Sequence, residues 1–353
     1  MADSAPASSP RRTVAFVVVA LLCLGSLVTY LVVQRSQDAA AADAAADREA
    51  ATSRLSVEDV LEVPHFVVRN TEPGPSFGKV ALIPLDDPTG PRAIVDISCD
   101  RISAMPAGAL CLQEVTGMLT TYRAVFLDEE LQETGAAEVG GVPSRARVSA
   151  GGSYSASTVF VTGHAYTDAQ FSTETLITDL TTGASLGNLE TWQTLRDGAE
   201  FAPVDRNLWG VSFIGDGPAF FATLGTGGRF LLVKGDVRTR TLEVVGSEGA
   251  CPSVSPDGRT VVYKEVDPES RNARFVAAGL VRGDLGEEPT PLEEGRFVDD
   301  QVAWLDDDTV LYAVGRGVST SVDFDVWSAP VGGGAPTLLI PDAASPSVVI
   351  PQG

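Results

Sequence analysis

Apolar and polar residues alternate in short bursts along most of this chain. From His65-Phe66-Val67-Val68 nearly to the C-terminus, runs rich in Val, Ile, Phe and Tyr are bounded by Gly, Pro, Asp and Asn. A period of two predicts β-strands, and no long amphipathic helix interrupts them. One phrase recurs. Pro252-Ser253-Val254-Ser255-Pro256-Asp257-Gly258-Arg259-Thr260-Val261-Val262-Tyr263 reads as strand, tight turn, strand. It returns as Gln301-Val302-Ala303-Trp304-Leu305-Asp306-Asp307-Asp308-Thr309-Val310-Leu311-Tyr312, and earlier as Ser212-Phe213-Ile214-Gly215-Asp216-Gly217 followed by Phe220-Phe221-Ala222. A unit of about 40–50 residues made of hairpins predicts a β-propeller.

Five complete units are legible. They begin at Cys99, Arg145, Leu208, Pro252 and Val302. In the second unit Gly151-Gly152 stands where Asp-Gly stands elsewhere; Asp-Gly suits a tight turn because Gly accepts positive φ. The two ends are incomplete. Residues 65–95 supply three strands, and Ser345-Pro346-Ser347-Val348-Val349 restarts the phrase for one strand only. Joining them closes a ring and removes exposed sheet edges. The expected fold is therefore an all-β, six-bladed β-propeller closed by pairing of N- and C-terminal strands, at roughly 48 residues per blade.

The N-terminal region reads differently. Thr13 to Val33 carries no charge and, as a helix, spans about 31 Å, the thickness of a bilayer's hydrocarbon core. Arg11 and Arg12 precede it, and Asp38, Asp43 and Asp47 follow Arg35. The positive-inside rule then places residues 1–12 in the cytoplasm, a transmembrane helix or uncleaved signal anchor at 13–33, and everything later outside. A cleaved signal peptide is the alternative, with small residues at Ala39 to Ala46. The pair Arg11-Arg12 lacks the flanks of a twin-arginine signal, and Leu22 before Cys23 disfavours a lipid attachment. Residues 34–61, rich in Ala and acids, read as a solvated stalk, and 62–353 as the propeller domain.

Composition narrows the function classes. The 353 residues carry 47 acidic and 25 basic side chains, a net charge of −22, which argues against a nucleic-acid partner. Only two histidines, His65 and His164, are present, so a His-rich metal site is not expected.

Ser253-Val254-Ser255-Pro256-Asp257-Gly258 with Val261-Val262-Tyr263 resembles the repeat phrase of TolB-type β-propellers. Asp179-Leu180-Thr181-Thr182-Gly183 and Asp325-Val326-Trp327 resemble its later strands. Cys99-Asp100-Arg101 with Leu110-Cys111-Leu112, Cys251-Pro252-Ser253 and the segment from Val298 to Tyr312 are similar to membrane-anchored TolB-like proteins of high-GC Gram-positive bacteria. The resemblance covers about residues 62–350. It implies an envelope location, protein contacts and motif residues that are structural rather than catalytic. The periplasmic TolB of Gram-negative bacteria has a separate α/β domain before its propeller, where this chain has an anchor and stalk.

Outside the apolar segment lie Cys99, Cys111 and Cys251. An exported chain permits disulfides, and Cys99 and Cys111 fall on neighbouring strands of one hairpin, so these two are expected to bridge. Cys251 is then odd and reads as a small buried residue at a blade start. No G-x-S-x-G, H-E-x-x-H or Walker phrase is present. Gly225-Thr226-Gly227-Gly228 reads as a hairpin turn, Asp306-Asp307-Asp308 as a strand-connecting turn rather than a Ca²⁺ site, and His164 as a loop residue. Trp209 and Trp327 read as core filling. Trp304, in the innermost-strand register, is a candidate contact at the channel face. The expected function is non-catalytic: a monomeric, membrane-anchored propeller without cofactor or metal, binding an envelope protein or peptide in translocation or assembly. A propeller hydrolase or lyase with its site at the channel is the alternative, and a purely structural spacer a third.

Overall fold

A computed structural model describes residues 14, 18–21, 23–30, 32–35, 55–161, 172–267, 272–286, 288–296, 298–317 and 323–351, the side chain of residue 247 excepted. They divide into an N-terminal unit, Met1–Thr52 with Pro73–Pro75, and a second unit, Ser53–Glu72 with Ser76–Gly353. In the first, Val18–Arg35 (α1) is a helix long and apolar enough to cross a membrane; a signal sequence has the same character.

The second unit is the propeller. Among the described residues its strands form six sheets around one axis. Blade one holds β1 (His65–Asn70), β2 (Lys79–Pro84) and β3 (Ala93–Ser98). Blade two is β4 (Arg101–Met105), β5 (Gly108–Val115), β6 (Thr121–Leu127) and β7 (Glu133–Val139). Blade three is β8 (Val142–Val148), β9 (Tyr154–Val161), β10 (Ser172–Asp179) and β11 (Ala184–Asn188). Between blades three and four lie β12 (Gln193–Arg196) and β13 (Ala199–Glu200). Blade four follows with β14 (Asn207–Phe213), β15 (Ala219–Thr226), β16 (Arg229–Asp236) and β17 (Thr241–Glu248). Blade five is β18 (Ala250–Val254), β19 (Thr260–Val266), β20 (Ala273–Val281), β21 (Asp284–Leu285) and β22 (Thr290–Pro291). Blade six is β23 (Ala303–Trp304), β24 (Thr309–Gly315), β25 (Phe324–Pro330) and β26 (Thr337–Ile340). The last strand, β27 (Ala343–Val349), pairs antiparallel with β1, His65 opposite Val349 and Phe66 opposite Val348. It becomes the innermost strand of blade one and seals the ring.

The alternation of side chains along each strand explains why blades stack. Both faces of a blade are covered, so its central strands are apolar at consecutive positions, and neighbours feed opposite seams. Phe66, Val68, Ala81 and Ile83 pack with Ala303, Leu311 and Val326 of blade six. Their neighbours Val67, Val80 and Leu82 pack instead with Ile102, Cys111 and Val125 of blade two. In blade four, Phe220, Ala222 and Leu224 face Ile177 of blade three, while Phe221 faces Val254 and Val261 of blade five.

Serines on the innermost strands lace the seams polarly. The Ala104 amide donates to Ser347 Oγ at 3.0 Å, Val148 to Ser103 Oγ at 3.2 Å, and Val254 to Ser212 Oγ at 2.9 Å. Each bond links one blade's inner strand to the blade before it.

Two features depart from the sequence reading. Residues at the end of the expected stalk are not spacer: Val57–Leu61 (α2) is a short helix, capped by the Ser56 side chain accepting from the Asp59 amide. Val60 is buried, and Leu55, Val57 and Leu61 pack against the seam between blades one and two. A five-residue helix with three apolar positions is too short to declare itself beside an Ala-rich segment. Blade four is also wider than read, because β12 adds parallel to β17 and β13 pairs with β12.

Candidate functional site

The inner strands are not regular. In β14, β18 and β27 the ladder slips at Gly210, Cys251 and Ser345, with φ of +65°, +54° and +49°. Each of these residues lies two positions before a serine: Ser212, Ser253 or Ser347. A bulge of this kind breaks the ladder and frees backbone carbonyls. Side chains of other blades take them up. Gln301, itself buried, brings Nε2 to the carbonyls of Gly210 (3.1 Å), Val211 (3.1 Å) and Pro252 (2.6 Å). Glycine suits position 210, since its φ is positive and a Cβ would lie a tight 3.1 Å from the Cys251 Cα.

Arginines gather at the same level. Arg101 Nε donates to the Ser144 carbonyl at 2.8 Å, and Arg147 Nη2 to the Val302 carbonyl at 3.1 Å. Arg145 donates through Nη1 to the Ser144 carbonyl at 2.8 Å and through Nη2 to Asp299 Oδ1 at 3.2 Å. These three line a small cavity of about 30 Å³ with Asp300, Gln301, Ser345 and Ser347. That is room for about two waters or the oxygens of one small anion. Asp299, paired with Arg145, is 78% exposed, whereas the Arg145 side chain is only 11% exposed.

The charges shape one another. Burial and the neighbouring Arg145 push Arg101 below its ordinary range, against Asp300 and Asp299. Burial pulls Arg147 down to about 10, with Asp300 opposing and Arg145 adding, so it remains protonated at neutral pH. Arg145 is desolvated too, but the Cys251 sulfur, Asp300 and Asp299 more than offset this and hold its pKa above the ordinary value. Among the described residues, Nε of both Arg145 and Arg147 is buried without a hydrogen-bond acceptor.

A larger cavity, about 670 Å³, lies on blade five beside Glu248, Tyr263, Glu265 and Arg274. Asp267 and Asn272 also line it; the intervening residues 268–271 lie outside the described residues.

The residues singled out from sequence fall as follows. Cys99 and Cys111 are bonded to each other, with Cα atoms 5.5 Å apart, across the start of blade two. Cys251 is a buried free thiol whose amide donates to Thr223 Oγ1 at 2.7 Å. Trp304 is not at the channel. It is buried in the seam between blades five and six, packed in a cluster with Val262 and Phe275, and its Nε1 donates to Ser253 Oγ at 3.2 Å. Adjacent strand positions point oppositely, so it is Ala303 that lines the axial cavity. Trp209 stacks edge-on against Phe230, and Trp327 lies under Arg296 at 3.7 Å. Gly227 and Gly228, with φ of +56° and +73°, form the two-residue turn of the β15–β16 hairpin. Asp306 and Asp307 are turn residues, accepting from the amides of Asp308 and Asp257. His164 lies outside the described residues. Among the described residues no three or more His, Cys, Asp or Glu side chains form a metal-binding group.

The sequence reading missed the arginines. Their signal was present: Arg145-Ala146-Arg147 places two basic residues in one phase of an innermost strand, in a chain otherwise dominated by acids.

The six-sheet ring, sealed by the terminal strands, has structural counterparts among solved proteins. TolB from Acinetobacter baumannii superposes with a TM-score of 0.52 at 16% identity, over 82% of this chain and 66% of that one. The fold is that of a TolB-like β-propeller. A candidate TolB from Agrobacterium tumefaciens gives 0.49 at 11% identity, over 80% of this chain and 91% of that one. A Bacteroides caccae protein of unknown function gives 0.46 at 12% identity, over 82% and 100%. This chain thus spans just under two thirds of the Acinetobacter TolB. No family model matches this chain, and no curated protein matches it.

Proposed function

We propose that this protein is a membrane-anchored, extracytoplasmic propeller that binds an envelope protein or peptide at the axial face of its ring and catalyses no reaction. The observation that carries the reading is the convergence of Arg101, Arg145 and Arg147 from two blades on one axial cavity, in a chain whose net charge is −22. Buried cations of this kind recognise a partner by direct contact rather than by long-range attraction. The apolar helix α1, preceded by Arg11 and Arg12, supports the anchored, outward-facing arrangement. The TolB-like fold supports a scaffold for contacts between proteins. Fold alone does not decide activity, so the partner has to be captured.

A photo-crosslinking side chain in place of the exposed Asp299, the partner of Arg145, tests this in the full chain in its own membrane. A discrete protein or peptide adduct is expected, absent when the crosslinker replaces a residue on the outer rim such as Glu138. Failure to capture any partner, together with turnover of a hydrolase or lyase substrate by the purified protein, overturns the proposal.

A further inference from the structure

We propose that the axial cavity takes a carboxylate, presented by a free C-terminus or acidic side chain of a peptide, between Arg101, Arg145 and Arg147. The inference rests on the binding role proposed above and names the chemistry of its ligand.

Three observations carry it. First, charged donors are left over. A guanidinium offers five N–H groups, yet among the described residues Arg101 donates through Nε alone and Arg147 through Nη2 alone. The Nε of Arg147 is buried with no acceptor, and Arg145 Nε has none within hydrogen-bond distance either, its guanidinium having the Cys251 sulfur as a further neighbour. A buried charged donor without a partner is costly, so such groups in a stable fold are met by water or an anion. Second, the charges do not cancel. Arg101, Arg145 and Arg147 face Asp299 and Asp300, and both carboxylates are engaged: Asp299 by Arg145, Asp300 by the amides of Gln301 and Ala313. One positive charge is unmatched within the cluster. Third, size and shape select. About 30 Å³ admits the oxygens of a single small anion. Planar guanidinium forks match the planar carboxylate with paired hydrogen bonds. The surrounding charge of −22 repels polyanions, so a lone carboxylate on an otherwise neutral or basic segment meets the least opposition.

The test is thermal unfolding of the full chain in detergent at fixed ionic strength, titrated separately with acetyl-trialanine bearing a free C-terminus, its C-terminal amide, and inorganic phosphate. The free acid is expected to raise the unfolding temperature saturably, with the amide and phosphate at least tenfold weaker. Arg147→Gln should weaken the acid at least tenfold. Arg147→Lys keeps the charge and loses the planar fork, and should bind the acid measurably more weakly than the wild type; it serves if Arg147→Gln does not fold. Equal effects of acid and amide, a response to phosphate alone, no response to any probe, or unchanged binding by folded variants would each overturn the proposal. Capture of a partner through Asp299 without discrimination between acid and amide sinks this inference alone. Discrimination without any captured envelope partner, together with turnover of a hydrolase or lyase substrate, sinks the function and leaves the site.

Discussion

Asp216 of blade four accepts a hydrogen bond from Ser149 Oγ of blade three at 2.7 Å. It also accepts from the Gly151 amide, at 3.1 Å, and from the Ser153 amide and hydroxyl. In blade five the equivalent turn carries its own carboxylate: Asp257 accepts from its own Ser255 Oγ at 2.7 Å and Arg259 amide at 3.0 Å, while its amide donates to Asp307 of blade six at 2.9 Å. Blade three has Gly151 where that aspartate would stand, and the neighbouring blade supplies the missing carboxylate. A Cβ on Gly151 would lie 2.6 Å from the Asp216 carboxyl, so the two positions are mutually dependent.

Asp216→Ala should therefore destabilise the ring by about 1–2 kcal/mol, on the scale of charge-assisted bonds partly screened by solvent. Burial raises its pKa, but the Ser153 and Ser149 hydroxyls and nearby amides more than offset this, so the folded pKa is depressed. Stability from a depressed carboxylate is present above its unfolded pKa and is lost as pH falls through the folded one. Urea unfolding of wild type and variant should differ at pH 7 and converge in acid.

Ring closure is latched by Arg92, which is buried. Its Nη1 donates to Asn70 Oδ1 at 2.5 Å and the Asp342 carbonyl at 2.8 Å, and its Nη2 to the Pro341 carbonyl. The guanidinium thus ties blade one to the turn that launches β27. Arg92→Met keeps the bulk and strips the donors, and should cost about 2–4 kcal/mol. Hydrogen exchange should show β27 opening before the other inner strands.

The Cys99–Cys111 bridge closes a short loop at the entry to blade two. Alkylation of the unfolded, unreduced chain should label two of its four cysteines, Cys23 and Cys251. The Cys99→Ser/Cys111→Ser double variant should lose about 2–4 kcal/mol of stability.

Glu190 works against the fold at neutral pH. Burial lifts its carboxyl to about 7, with Glu174 adding and Arg206 and the Leu208 amide opposing. The folded state therefore holds a proton that the unfolded state has released, and stability falls as pH rises from about 4.5 to 7. Glu190→Gln should flatten this part of the profile, measured by unfolding across that range. His65 slopes oppositely: burial lowers its pKa, so its contribution falls as the pH drops below the ordinary histidine range.

The blades were legible because each is a local object. A strand–turn–strand phrase such as Pro252 to Tyr263 needs only alternation and Asp-Gly to declare itself. Closure was legible by subtraction, since three strands at one end and one at the other complete a single sheet. The axial site was not. Trp304 was assigned to the channel by its strand, but a bulged two-residue strand does not reveal which of Ala303 and Trp304 faces the axis. The α2 helix escaped for lack of length, and β12–β13 because their partner, β17, lies beyond a whole hairpin.

By itself the amino-acid order determined the number of blades, the strand that seals them and the apolar segment at the N-terminus, because these follow from periodicity and composition within short windows. Only the tertiary structure decided where buried charge collects. Arg101, Arg145 and the Asp300-Gln301 pair are far apart in the chain and meet because the inner strands of blades two and three and the approach to blade six converge on one axis. Burial and convergence are properties of that axis, and no window of sequence contains it.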